Sequence, residues 1–272
     1  MRKIIPLVAF TLLGILLCSV TCKSQLLSTG SYSIAAICKD GIVIGADTRG
    51  ASYYQAKGII FKEPLAYYDT IQKVFIVKNY VLSTTGAIII GDKFVSYYIK
   101  QFSLSLPDDV NMQSFIKLFY NFMGKNCPSF GKEFLDLQII WCGYENRKPE
   151  ICAIRNGHYQ CIVDSGSIQT DSANHFGDSY SRKLTCNEAT KLIENSIYRH
   201  AQKHKLTYSI GGPIMILKIT PDNKIEWLKN KKLTPNLDTK EQLYQACKNN
   251  KLNIHFTSPE NKIIFDSAFF NK

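Results

Sequence analysis

The chain has 272 residues, of which 45% are hydrophobic and 20% are charged, and its formal net charge is +11. This composition excludes a wholly disordered chain and allows one well-formed hydrophobic core with a small extension. The positive charge is spread along the sequence without a basic cluster interleaved with aromatic residues. It therefore indicates a solvated lysine surface rather than a nucleic-acid-binding function.

The first 24 residues have the pattern of a targeting segment. Two basic residues precede an uncharged apolar run, Ile4 to Cys22. This pattern predicts a secretory signal peptide over 1–24, and its cleavage leaves a short propeptide over 25–30. An uncleaved membrane anchor is the alternative, because the run approaches the roughly 20 residues that span a bilayer. We therefore expect a secreted or periplasmic protein, or a membrane-anchored one if the leader is retained.

The first strands after the leader surround a short motif. Residues 32–38 and 41–47 flank the turn Lys39-Asp40-Gly41, which predicts a β-hairpin. The hairpin begins directly after a Gly30-Ser31 bond and ends on Asp47-Thr48-Arg49. A serine hydroxyl thus lies at the start of this hairpin, and an acidic and a basic residue, Asp47 and Arg49, lie at its end.

Strand and helix periodicities alternate through the remaining chain, after an aromatic and irregular stretch over 52–69. Further strands are predicted over 72–77, 80–86, 135–143, 150–155, 158–163, 214–220 and 224–228. Helices are predicted over 88–104, 109–125, 185–204 and 238–249. This order predicts an α+β protein in which two stacked sheets carry helices on their outer faces.

Nine cysteines occur in the sequence, two of them within the leader. No CxxC pair or zinc-finger spacing is present, so no metal site is predicted. Cys38, Cys142 and Cys152 lie in apolar runs and are predicted to be small core residues. Export permits disulfides, but the odd number of cysteines after the leader leaves the pairing open.

These motifs resemble the proteasome β-subunit family of N-terminal-nucleophile (Ntn) hydrolases. That family opens with a glycine and a nucleophilic threonine, then two strands around a glycine turn, then Asp-Ser-Arg. Here Gly30-Ser31, IAAICKDG, IVIGA and Asp47-Thr48-Arg49 follow one another without a gap. The resemblance covers roughly residues 30–230. It implies a four-layer αββα sandwich over 31–230, with 231–272 as a C-terminal extension.

The resemblance also implies a catalytic role for each matching residue. Ser31 is the nucleophile, Lys73 its electrostatic partner and Asp47 the orienting acid, with Arg49 in the ion-pair network. Gly86 supplies an oxyanion amide, and two hydroxyls support the nucleophile, namely Thr170 in a serine-rich loop and Ser209. In this mechanism the free α-amine of the first residue takes the hydroxyl proton. The amine exists only after the Gly30-Ser31 bond has been cut.

The implied substrate is a peptide or a small amide, and the mechanism needs no cofactor, metal or nucleic acid. The family assembles into rings, which makes a homo-oligomer possible.

The sequence departs from the family pattern at two points. Serine replaces the usual threonine, and the aspartate that supports the nucleophile before Gly211 has no counterpart, with Thr207 as the nearest substitute. Thr29 is the alternative nucleophile. The catalytic roles also have structural alternatives, because Lys73 can be an ordinary surface lysine and Asp47 can cap a turn. A non-catalytic scaffold used for binding or assembly is the alternative function.

Overall fold

The computed structural model describes residues 25–29, 31–56, 59–60, 63–127, 130, 137–155, 158–163, 166–171, 184–203, 208–230 and 237–270. The predictions for the leader over 1–24, for Gly30 and for Thr207 lie outside these residues. Among the helices within the described ranges, none has the length and apolar character needed to cross a membrane.

The described chain contains antiparallel strands and helices in an α+β arrangement, as the sequence predicts. The strands are β1 (Gln25–Thr29), β2 (Tyr32–Cys38), β3 (Gly41–Ala46), β4 (Gly50–Ala56), β5 (Ile59–Ile60), β6 (Ala66–Tyr68), β7 (Val74–Val77), β8 (Tyr80–Gly86), β9 (Ile89–Ile90), β10 (Lys93–Phe94), β11 (Leu137–Glu145), β12 (Lys148–Arg155), β13 (His158–Val163), β14 (Gly166–Asp171), β15 (Met215–Ile219), β16 (Ile225–Lys229) and β17 (Ile254–Phe256). The helices are α1 (Val95–Ser105), α2 (Met112–Asn126), α3 (Cys186–Lys203), α4 (Lys240–Lys248) and α5 (Pro259–Phe270).

Two five-stranded sheets share the central hydrophobic core. One has the strand order β14-β2-β3-β15-β16 and the other the order β13-β12-β11-β8-β7. One buried apolar cluster draws side chains from both sheets, among them Ala35, Ile44, Val81, Ile140 and Leu217. Because the side chains of a strand alternate between its two faces, the remaining side chains of each sheet point away from this shared core.

Helices bury the other faces of these sheets. Helix α3 packs on the first sheet, where Ile193 and Ile197 join Ile34 and Val43 in one cluster. Helices α1 and α2 pack on the second sheet through a larger cluster that includes Phe102, Phe115, Phe119 and Trp141. Of the residues that the sequence predicts as the core face of α2, Phe115 and Phe119 are buried and Phe122 packs against the cluster, whereas Leu118 is exposed.

We expect Phe115 to be among the most sensitive core positions. Its side chain is fully buried, and its ring lies 5.2 Å from that of Phe102 and 5.4 Å from that of Trp141. The Phe115→Ala variant should lose about 3–5 kcal/mol of unfolding free energy, because both transfer energy and packing are lost. Urea unfolding measures this loss. Leu118→Ala, on the exposed side of α2, is the control, and an equal loss there would contradict this packing.

A third sheet joins the two ends of the described chain. Its order is β1-β4-β6-β17, with β5 also paired to β4. Thr29 lies opposite Ala51, Ala51 opposite Tyr67, and Tyr67 opposite His255. Strands β4 and β6, which lie mostly within the aromatic stretch 52–69, therefore form the middle of this sheet. Its outer strands, β1 and β17, come from the predicted propeptide and the predicted C-terminal extension.

Three sequence predictions need correction. Helix α1 begins at Val95 rather than at residue 88, because Gly91, at a φ of +66°, turns the chain between two short strands instead. The described part of the segment predicted as a serine-rich loop lies in strand β14, which is paired to β2. Cys152 is buried as predicted, but it is also disulfide-bonded to Cys161, its direct neighbour across β12 and β13.

Candidate active site

Ser31 lies immediately before β2 and is completely buried. Its φ of +140° is unusual for a residue with a side chain. Its hydroxyl oxygen is buried without a hydrogen-bond partner among the described residues. Most buried polar atoms are hydrogen-bonded, and such exceptions, like strained backbone conformations, concentrate at functional sites. Both features therefore single out the predicted nucleophile.

Asp47 follows β3 and is held by backbone amides from three parts of the chain. One carboxylate oxygen, Oδ1, accepts a hydrogen bond from the Tyr32 amide at 2.8 Å. The other, Oδ2, accepts hydrogen bonds from the amides of Arg49 and Gly211, each at 3.0 Å. The Asp47 carboxylate therefore fixes the start of β2 relative to the turn after β3. Asp47 thus does more than cap a local turn, which was the structural alternative for this residue.

Lys73 is 1% exposed, which excludes the alternative that it is an ordinary surface lysine. Its Nζ donates a hydrogen bond to Asp47 Oδ1 at 3.1 Å and another to the Arg49 carbonyl oxygen. Burial lowers the pKa of Lys73 from its usual value, and the Asp47 charge opposes that shift. Because the Tyr32 amide and Lys73 share one carboxylate oxygen, the buried cation lies beside the backbone that immediately follows Ser31.

Arg49 has a structural partner that the sequence analysis missed. Its guanidinium binds both carboxylate oxygens of Asp69, at 2.6 and 2.8 Å, and lies 4.4 Å from the centre of the Tyr67 ring. The hydrogen bond to Asp69 raises the pKa of Arg49. Thr48 also donates its hydroxyl to the Asp69 carbonyl oxygen at 2.9 Å. These contacts lock the Asp47-Thr48-Arg49 turn against the segment after β6.

A buried polar contact between the two central sheets lies two residues after Ser31. The hydroxyls of Ser33 and Ser83 are hydrogen-bonded to each other, and both residues are fully buried. The Thr84 amide donates to the Lys73 carbonyl oxygen at 2.9 Å. Strand β8 thus adjoins both β2 and Lys73. It ends on Gly86, the predicted oxyanion donor, at a φ of +81°.

The two predicted supporting hydroxyls belong to different elements. Thr170 lies on β14 directly opposite Ser33 in the register with β2. Ser209 is buried in the segment that leads into β15, and its neighbour Tyr208 stacks on Tyr67 at 5.5 Å. Tyr208, the residue before Ser209, therefore contacts the ring that the Arg49 guanidinium covers.

Gly212 is a position where we expect any side chain to distort the site. Its φ is +75°, and an added Cβ would lie 2.6 Å from Thr48 Oγ1 and 2.8 Å from Asp69 Cβ. The Gly212→Ala variant should lose about 1–3 kcal/mol of unfolding free energy through backbone strain, and it should displace the Arg49–Asp69 pair. Chemical unfolding measures the loss. Gly124→Ala, on α2 with open space around its Cβ, should instead be neutral or stabilising, and equal losses would refute this prediction.

Comparison with known proteins adds no assignment. No family model matches this chain, and no curated protein matches its sequence significantly. The chemistry of the site therefore has to be inferred from its own residues.

Proposed function

We propose that this chain is an exported Ntn hydrolase, similar to proteasome β subunits, that cleaves amide or peptide bonds through Ser31. The observation that carries the proposal is the buried Lys73–Asp47 ion pair, whose shared oxygen also holds the amide next to Ser31, a residue whose hydroxyl has no hydrogen-bond partner in the described part of the chain. A buried cation needs strong compensation, and Asp47 connects Lys73 to the backbone amide that follows Ser31, an arrangement that suits the activation of a nucleophile.

In the proposed mechanism, cleavage after Gly30 comes first, by the chain itself or by another protease. It liberates the α-amine of Ser31, an amine whose pKa is ordinarily about 8. The positive charge of Lys73 lowers the pKa of that amine and stabilises the serine alkoxide. The neutral amine then accepts the hydroxyl proton, and Ser31 Oγ attacks the substrate carbonyl.

The remaining residues have supporting roles in this proposal. Asp47 fixes the position of Lys73 relative to the start of β2. Arg49 stabilises the Asp47-Thr48-Arg49 turn through its ion pair with Asp69. The Gly86 amide donates to the oxyanion that forms on the substrate. Collapse of this oxyanion intermediate breaks the C–N bond, and the α-ammonium of Ser31 returns its proton to the leaving amine, which forms the acyl-enzyme ester. Water then hydrolyses the ester, which releases the carboxylic acid and regenerates the serine hydroxyl and the free amine.

The wider fold proposal is the four-layer αββα sandwich. It is supported by the three buried clusters, one shared by the two central sheets and one between each sheet and its helices. Ser31 directly precedes β2, an inner strand of the first sheet, and it is completely buried in the uncleaved chain.

The propeptide favours an extended peptide over a small amide as substrate. Residues 25–29 pair with β4 over five positions, up to Thr29 opposite Ala51. When the propeptide leaves, it exposes backbone donors and acceptors on the β4 edge next to Ser31. An extended peptide binds such an edge by adding a strand.

The second candidate function is a non-catalytic scaffold for binding or assembly. The observation in its favour is that β1 is an integral strand of the third sheet, so a chain that kept it would have no free amine at Ser31. This alternative predicts retention of residues before Gly30 and no hydrolysis.

The two functions are distinguished with a peptide that carries an epoxyketone, which reacts with a hydroxyl and an adjacent amine together. The hydrolase proposal predicts hydrolysis of fluorogenic peptide amides, inhibition by this peptide, and one adduct on Ser31 located by tandem mass spectrometry. The Ser31→Ala variant is the control and should give neither turnover nor adduct. Turnover with the adduct on another residue would overturn the proposal.

A further inference from the structure

Two free cysteines meet where the β2–β3 turn contacts the start of α3. Cys38 is the last residue of β2, and Cys186 is the first residue of α3. The Lys39 amide donates to the Leu184 carbonyl oxygen at 3.0 Å, and the Cys186 amide donates to Asp40 Oδ1 at 2.7 Å. Two hydrogen bonds therefore fix the turn against the beginning of the helix.

The sulfur atoms lie on facing sides of this junction. Gly41 is directly opposite Cys38 in the β2–β3 register, and a Cβ added at Gly41 would lie 3.1 Å from Cys186 Sγ. The side chain of Cys186 contacts that of Cys38 as a hydrogen-bond donor. The absence of a side chain at Gly41 leaves the space in which the Cys186 sulfur approaches β2.

The two thiols differ in a way that suits sequential oxidation. The hydrogen bond from Cys186 lowers the pKa of Cys38, although burial and the Asp40 charge oppose that shift. The same interaction and burial raise the pKa of Cys186. Cys38 is partly exposed and Cys186 is buried. Because the thiolate is the reactive form, Cys38 is the thiol that meets an external oxidant first.

We propose that Cys38 and Cys186 form a reversible oxidation site that closes a second disulfide between β2 and α3. The Cys38 thiolate attacks a small disulfide such as oxidised glutathione, forms a mixed disulfide and releases one glutathione thiolate. Cys186 then loses its proton and attacks Cys38 Sγ, which forms the Cys38–Cys186 bond and expels the second glutathione. Two thiols are oxidised and one small disulfide is reduced to two thiols.

This bond would anchor the helix that supports the start of β2. At its other end, α3 contacts Tyr32, whose hydroxyl is hydrogen-bonded to Ser196 at 2.8 Å and whose ring stacks on His200 at 4.1 Å. The disulfide would also close a long loop of the unfolded chain, which favours the folded state. The inference does not depend on catalysis by Ser31, so a failed hydrolase test leaves it unaffected.

The direct test is a redox titration of the full-length protein in glutathione buffers. Free thiols are alkylated under denaturing conditions, and the digested chain is read by mass spectrometry without reduction. We expect a cross-linked Cys38–Cys186 peptide in oxidising buffer, its loss in reducing buffer, and continued alkylation of Cys247, the matched partly exposed thiol. Alkylation of both Cys38 and Cys186 in fully oxidising buffer, or a persistent glutathione adduct on Cys38, would overturn the proposal.

A second measurement separates this bond from the Cys152–Cys161 disulfide. The urea midpoint of the wild type and of Cys247→Ser should rise on oxidation by more than that of Cys38→Ser, in which only the other disulfide can form. An equal rise in all three proteins would contradict the proposed link.

Discussion

The Ser31→Ala variant is expected to fold and to lose peptide hydrolysis by about 10⁴-fold or more in kcat. The reason is that the proposed reaction has one nucleophile, and removal of a nucleophile eliminates most of the chemical acceleration. The variant replaces a buried hydroxyl that has no hydrogen-bond partner among the described residues, so stability should change little. Steady-state kinetics on a fluorogenic peptide amide, alongside urea unfolding, measures both effects.

Thr29 provides the matched control for this prediction. It lies two residues before Ser31 on β1, and it leaves with the propeptide if cleavage follows Gly30. The Thr29→Ala variant should therefore keep full activity once processed, and Ser31→Thr should keep a measurable part of it. An inactive Thr29→Ala together with an active Ser31→Ala would move the nucleophile to residue 29.

Removal of one member of the buried Lys73–Asp47 pair should eliminate activity and destabilise the fold. Both side chains are almost completely buried and lie 3.1 Å apart. Asp47→Asn leaves a lysine ammonium without its counter-ion, and Lys73→Met leaves a carboxylate in the same position. Each should lose about 3–5 kcal/mol of unfolding free energy, because an uncompensated charge then remains in the interior. Chemical unfolding of both single variants measures this.

The double variant Lys73→Met/Asp47→Asn separates structure from catalysis. It removes both charges, so it should recover part of the stability lost in each single variant, while hydrolysis stays absent. The partly exposed Arg49–Asp69 pair is the control, since Asp69→Asn should lose less stability than either Lys73 or Asp47 variant. Recovered hydrolysis in the double variant would show that this pair has no part in the reaction.

The local parts of this structure were accessible from sequence patterns. The β2–β3 hairpin follows from alternating residues around Lys39-Asp40-Gly41, and α3 follows from the capping box of Thr185 and Glu188 at its start. The α1 boundary was wrong because apolar residues at helical spacing in 88–94 outweighed the turn signal of Gly91. Local periodicity cannot tell a short apolar hairpin from the first turn of a helix.

Contacts between distant segments were not accessible in this way. Asp69 pairs with Arg49, and Ser83 with Ser33, across strands whose relative register is set by the packed core rather than by nearby residues. The third sheet is a further example, because it joins β1, from the start of the described chain, to β17, near its end. Asp47 and Lys73 were predicted as site residues from the family resemblance, whereas their shared oxygen and complete burial required the three-dimensional structure.

The N-terminus of the mature protein tests the central claim most directly. The full-length chain is expressed in its native or a heterologous host, and the purified protein is examined by intact-mass spectrometry and N-terminal sequencing, with peptide hydrolysis measured on the same sample. We expect an active protein that begins at Ser31. An active protein that still carries residues before Gly30 would have no α-amine at Ser31, and it would contradict the mechanism.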